Sequence, residues 1–107
     1  MFKDMGQALR QAREMQQKMQ TIQEELARQE LTGQAGGGTV QVTLNGRNEI
    51  LRVHIDPKAA AGDSTLLEDL VTSAFRDAHQ QAQNAAKRVA EREMGPLAGL
   101  LGGIPGL

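Results

Sequence analysis

The chain has no cysteine, no tryptophan, no tyrosine and only two phenylalanines in 107 residues. Without cysteine there are no disulfides, no thiolate metal sites and no cysteine nucleophile. The scarcity of aromatics leaves Leu, Ile, Val, Met and Ala to build the core, and these are smaller or more flexible fillers. A thin aliphatic core in a short chain favours association, because a second subunit supplies buried area that one chain lacks. Long hydrophobic runs are missing too. No stretch of ~18 apolar residues suggests a membrane-spanning helix, and the N-terminus MFKDMGQALRQAREM turns polar at once, without the apolar segment of a secretion signal. The expectation is a soluble, cytoplasmic protein. Nor is there an excess of either charge: 12 Lys and Arg stand against 13 Asp and Glu, a formal net charge of −1. Composition therefore gives no support to nucleic-acid binding, whose usual footprint is a basic domain.

What the sequence does have is periodicity. Met5, Ala8, Ala12, Met15, Met19, Ile22 and Leu26 are spaced alternately three and four apart, the a/d seam of a coiled-coil helix. Asp4 is a candidate N-cap for it, with Gly6 weakening the first turn. A narrow seam on so long a helix usually faces another helix. The C-terminal half is expected to pack on the chain's own sheet, the N-terminal half on a partner.

Val40, Val42 and Leu44 then alternate with polar residues, as do Leu51, Val53 and Ile55 with Arg52 and His54, the period-two pattern of half-buried strands. Asn45-Gly46 between them suits a tight hairpin turn, because both residues tolerate positive φ. Glu30-Leu31-Thr32 reads as a short edge strand before the glycines. Asp56-Pro57 ends the sheet, since proline cannot donate to a ladder, and KAAAGDST reads as a loop. From Leu66 to about Glu93 the apolar stripe of a second long helix begins wide and bulky and narrows to alanine. Its cap is Asp63 or Thr65, and Thr65 with Glu68 fits a capping box. A wide stripe is expected against the sheet; the alanines indicate either close helix contact or an exposed extension. The fold class is α+β: α-β-β-β-α, a three-stranded antiparallel meander flanked by two long helices. Residues 1–94 form a single domain in this reading, and residues 95–107, with five glycines, two prolines and five Leu and Ile, form a flexible tail.

Candidate chemistry is sparse. Gly36-Gly37-Gly38 resembles a phosphate cradle only superficially: such a loop needs a following lysine and a helix whose N-terminus faces the phosphate. No lysine follows here, and the next element is a strand, so the glycines are read as a turn. His54 and Asp56 share a strand face but lack a third ligand. His79 is expected on the exposed side of the second helix. No serine or threonine stands in a nucleophile–base arrangement. No catalytic residue, cofactor site or metal site is expected, and no small-molecule substrate. The residues left with binding potential are on the helices: Arg10, Arg13, Gln17 and Lys18 on the first, Lys87, Arg88 and Arg92 on the second. Such side chains reach phosphates by charge and bases by the amide. They equally suit an ordinary solvated surface.

The order of features carries a resemblance. A Met/Gln-rich helix leads into Leu31-Thr-Gly-Gln-Ala-Gly-Gly-Gly-Thr-Val40; Val42-Thr-Leu-Asn-Gly46, Val53-His-Ile-Asp-Pro57 and Leu66-Leu-Glu-Asp-Leu-Val71 follow. Over about residues 5–90 this resembles the YbaB/EbfC family of bacterial nucleoid-associated DNA-binding proteins. The resemblance implies a tweezer-like homodimer in which the sheets associate and the projecting helices grip duplex DNA with limited sequence selectivity, organising the bacterial chromosome in the nucleoid. It implies no catalysis and no cofactor. By position it directs DNA contact to Arg10, Arg13, Gln17, Lys18, Lys87, Arg88 and Arg92. The exposed seam and leucine-rich tail also suit a second class, a protein-interaction adapter, and an RNA-binding module is a third.

Overall fold

The computed structural model describes residues 2–95, and the expected tail from Pro96 onward lies outside them. Helix α1 runs Phe2–Arg28, strands β1, β2 and β3 run Leu31–Ala35, Val40–Leu44 and Ile50–Ile55, a single-turn helix α2 spans Pro57–Ala60, and helix α3 runs Ser64–Met94. The strands form an antiparallel meander in the order β1-β2-β3. The α-β-β-β-α expectation holds, with α2 added inside the segment read as a loop. Asp56 caps that turn by accepting the Lys58 N–H at 2.9 Å, and Pro57 supplies the preset φ of a first helical residue. Asp4 lies inside the first turn of α1 and so is not its N-cap. Asp63, not Thr65, caps α3, accepting the Thr65 N–H at 2.9 Å.

Both turns of the meander depend on left-handed backbone, but only one as the sequence suggested. Gly36, Gly37 and Gly38 all adopt positive φ (62°, 69° and 91°) between β1 and β2, where a side chain would be strained. The second turn is longer than an Asn-Gly hairpin. Asn45 through Glu49 form a loop in which the Asn45 carboxamide oxygen accepts the N–H groups of Arg47 and Glu49, and the left-handed residue is Asn48 (φ 63°). Gly46 serves a different purpose. Its N–H donates to the Leu26 carbonyl at 2.8 Å, and a Cβ there would lie 2.8–3.0 Å from Leu26 atoms. The loop thereby seats the end of α1.

The core has two parts. Val40, Val42 and Leu44 pack with Ala74 and Ala78 of α3, joined by the half-buried Leu67, Leu70 and Val71. Helix and sheet approach so closely that a Cβ on Gly33 would sit 2.1 Å from the Ala74 carbonyl oxygen and 2.3 Å from the Ala78 nitrogen. The alanines of α3 are the price of that approach, as no larger side chain fits between the backbones. The second part joins the helices: Ile22 and Leu26 of α1, with Met19 beside them, pack against Ala86, Val89, Ala90 and Met94. The C-terminal half of α1 therefore lies on the end of α3, not on the sheet as expected. The two helices run antiparallel there, Glu25 reaching Arg92 while Met15 and Lys18 lie beside Met94.

A candidate nucleic-acid interface

Beyond Met94, α1 continues alone. Before Gln11 it has no element packed on it among the described residues, and the described chain spans 70 × 20 × 18 Å, the proportions of a body with a projecting arm. Taking Ile22 and Leu26 as the face of α1 that meets α3, the 100° step per residue places Arg10, Arg13 and Gln17 on the opposite side. All three are exposed. Lys18 is exposed too but lies at the flank, lining a groove with Gln11, Glu14, Met15 and Met94. On α3, Lys87 and Arg88 are exposed, closer to the sheet along the arm than Arg10 and Arg13. By the same step Arg88 lies on the side of α3 turned away from α1 and Lys87 at its flank, so these cations are distributed around the arm and not gathered on one face.

Arg92 differs from the rest. It is paired with Glu25 of α1 and lies 3.6 Å from Glu93, and the hydrogen bond and charge of Glu25 raise its pKa above the ordinary arginine value. Its charge is already answered within the chain. Sequence periodicity could not reveal this, because the partner is 67 residues away.

The sheet presents a second exposed surface. Cross-strand register sets Val53 opposite Val42, Ile55 opposite Val40 and Ile50 opposite Leu44, so all three share the face that α3 covers. Yet α3 lies over β1 and β2, and β3 is left bare: Ile50, Leu51 and Val53 are 61, 43 and 49% exposed. Phe75 of α3 is 39% exposed and stacks on His79 with ring centroids 6.2 Å apart. His79 is half-buried, contrary to expectation, with its Nδ1 3.0 Å from the Asn48 side-chain oxygen. The two sheet edges are also unlike. At β1, Asp77 accepts the Gln34 N–H at 3.1 Å and Gln81 donates to the Thr32 carbonyl at 2.9 Å, so α3 side chains occupy that edge. β3 has no such cover among the described residues. On the opposite face of the sheet Thr32 and Thr43 share a hydrogen bond beneath an Arg52–Glu30 fork at 3.0 and 3.5 Å, which holds the Glu30 carboxyl below its usual range.

Among the described residues no cluster of three His, Asp or Glu side chains could hold a metal ion, and no helix is long and apolar enough to cross a membrane. The sequence profile of the YbaB/EbfC DNA-binding family matches residues 1–101. The chain belongs to the YbaB/EbfC DNA-binding family. Among its similar relatives is a nucleoid-associated protein of Rhodococcus opacus, 46% identical over 107 aligned positions covering 97% of this chain and 91% of the relative. A nucleoid-associated protein of Saccharopolyspora erythraea is 46% identical, over 97% of this chain and 87% of that one. The crystal structure of an uncharacterized Helicobacter pylori protein superposes with a TM-score of 0.63 at 25% identity, covering 71% of this chain and 89% of that one. YbaB/EbfC membership supplies what net charge could not, a reason to read the arm's exposed cations as a DNA-binding surface.

Proposed function

We propose that this chain is a nucleoid-associated protein that grips duplex DNA as a homodimer, with the arm formed by α1 and the end of α3 as the contact surface. The observation that carries the reading is the placement of Arg10, Arg13 and Gln17 together on the exposed side of a helix whose other side holds the arm to α3. Phosphates meet the guanidinium groups, and Gln17 and the flanking glutamines offer amides to base edges or phosphates. Lys18, Lys87 and Arg88 add cations on other sides of the same arm. Such contacts are largely independent of sequence, which accords with coating or organising DNA in the cytoplasm. No chemical step is involved.

The bare β3 face supplies the dimer contact. A strand with an open edge and apolar side chains is a template for another chain, and the α3 side chains over β1 leave β3 as the available edge. A second copy joined there sets two arms on one sheet platform. Light scattering is expected to give a dimer at micromolar concentration, and Ile50→Asp to give a folded monomer. A monomeric parent chain contradicts the dimer. Duplex retention by the parent that survives Arg10→Glu with Arg13→Glu unchanged contradicts the assignment of the arm.

A further inference from the structure

The projecting half of α1 bears a stripe of apolar side chains that nothing among the described residues covers. Met5 is 61% exposed, Met15 38%, and Leu9, at the margin of the seam, 60%; Ala8 and Ala12 lie between them and are exposed as well. This stripe continues the seam that packs on α3 through Ile22 and Leu26. It begins where α3 stops. Met94, the last residue of α3, lines the same groove as Met15, Lys18, Gln11 and Glu14. An isolated helical segment of this length is marginal in water without packing, so an occupant for the stripe stabilises the arm.

We infer that this occupant is the chain's own segment Pro96–Leu107, which docks on the α1 seam in cis. Three observations select it over a second copy. The chain leaves α3 at the mouth of the groove: Gly95, at φ 56° with its N–H on the Glu91 carbonyl, ends the helix one residue past Met94, and Pro96 cannot continue it. The antiparallel packing directs α3 toward the N-terminus of α1, so the following residues are attached at the near end of the stripe. Twelve residues reach up to ~40 Å extended, whereas the 13 residues of α1 before Met15 rise only ~20 Å. The composition matches too. Residues 96–107 contain no charged side chain and include Leu97, Leu100, Leu101, Ile104 and Leu107, an apolar set to match the Met, Ala and Leu side chains of the stripe. A tether this short also gives an effective concentration of order mM, which favours docking within one chain over docking between chains that are not already joined. The docked segment lies opposite Arg10, Arg13 and Gln17, so it is compatible with DNA on the arm, and its presence or absence is decided without DNA.

The methionines report on it directly. Met5 and Met15 lie on the stripe, while Met94 is buried and Met19 half-buried in the helix contact, giving internal references. Peroxide oxidation of each methionine is to be followed by peptide mass spectrometry in the full chain and in a chain ending at Gly95. Docking predicts that Met5 and Met15 react several-fold more slowly in the full chain, with Met19 and Met94 slow in both. Full-length Leu97→Ser/Leu100→Ser/Leu101→Ser repeats the measurement at unchanged length, and circular dichroism confirms that helix is retained; its Met5 and Met15 are expected to react like those of the shortened chain. Equal rates in all three proteins overturn the inference: uniformly fast rates mean an open stripe, and uniformly slow ones mean that a second copy covers it. A tail effect that weakens steadily on dilution through the dimer range also overturns it, because docking in cis is independent of concentration.

Discussion

Leu44 of β2 and Ile50 of β3 are opposite each other across one ladder, on one face of one sheet, yet Leu44 is fully buried and Ile50 61% exposed. Val42 and Val53 repeat the contrast at 1 and 49%. The two strands have the same alternating pattern, so pattern alone does not account for the difference. Geometry does. One helix is ~10 Å across and strands are ~4.8 Å apart, so a single helix covers two strands, and α3 is seated over β1 and β2 by its contact with Gly33. The strand left over carries apolar side chains that α3 does not reach. Alternation therefore identifies which face is apolar, not which part of it this chain covers.

The most severe way to break the contrast is to unseat α3. Gly33→Val places a side chain where backbone atoms of Ala74 and Ala78 already lie within 2.3 Å, and the expected result is no cooperative unfolding transition in urea. Next, Leu44→Ala should lower stability by ~2–5 kcal/mol, the cost of a cavity in a closed core. Ile50→Asp instead should leave the circular dichroism of the fold unchanged and dissociate the proposed dimer, since an unpaired charge buried at an interface costs several kcal/mol; light scattering distinguishes the two outcomes. Along the arm the same opposition of paired and free groups is testable. Arg10→Glu with Arg13→Glu should weaken binding to all duplex sequences and reduce the salt slope by ~2 for each arm engaged, because each phosphate contact contributes ~0.9. Glu25→Gln releases Arg92 from its partner, and the slope should then rise by ~0.9 for each arm engaged with a modest gain in affinity. The smallest effect belongs to the Arg52–Glu30 fork. Glu30 has its pKa lowered in the folded state, so any stability it adds is present at neutral pH and is lost as acid protonates it. Both side chains are more than half exposed, and solvent and salt screen such pairs, so Arg52→Gln should barely move the melting temperature.

The order of elements, the positions of both turns and the antiparallel meander were legible in the sequence, because period two and period 3.6 are local properties of the chain. The glycine run was legible as a turn, since neither lysine nor helix follows it. The second turn was misread in detail: Asn45 organises a five-residue loop through its side chain, and Gly46 is small because Leu26 lies against it, a contact 20 residues distant in sequence. The seam of α1 was visible as a seam, but that its C-terminal half meets α3 depends on how long α3 is and where Gly33 seats it. Of the candidate site, Arg10, Arg13 and Gln17 could be placed on one helix side from spacing alone. The pairing of Arg92 with Glu25 and the bare face of β3 are products of tertiary packing, and no local pattern records them.

The central claim is that the exposed cations of the arm bind duplex DNA through its phosphates. A titration of a duplex of unrelated sequence with the dimeric protein at several salt concentrations tests it most directly. The account predicts retention at low salt and a linear fall of log affinity with log salt. An intact dimer that fails to bind at the lowest salt, or an affinity indifferent to salt, contradicts it.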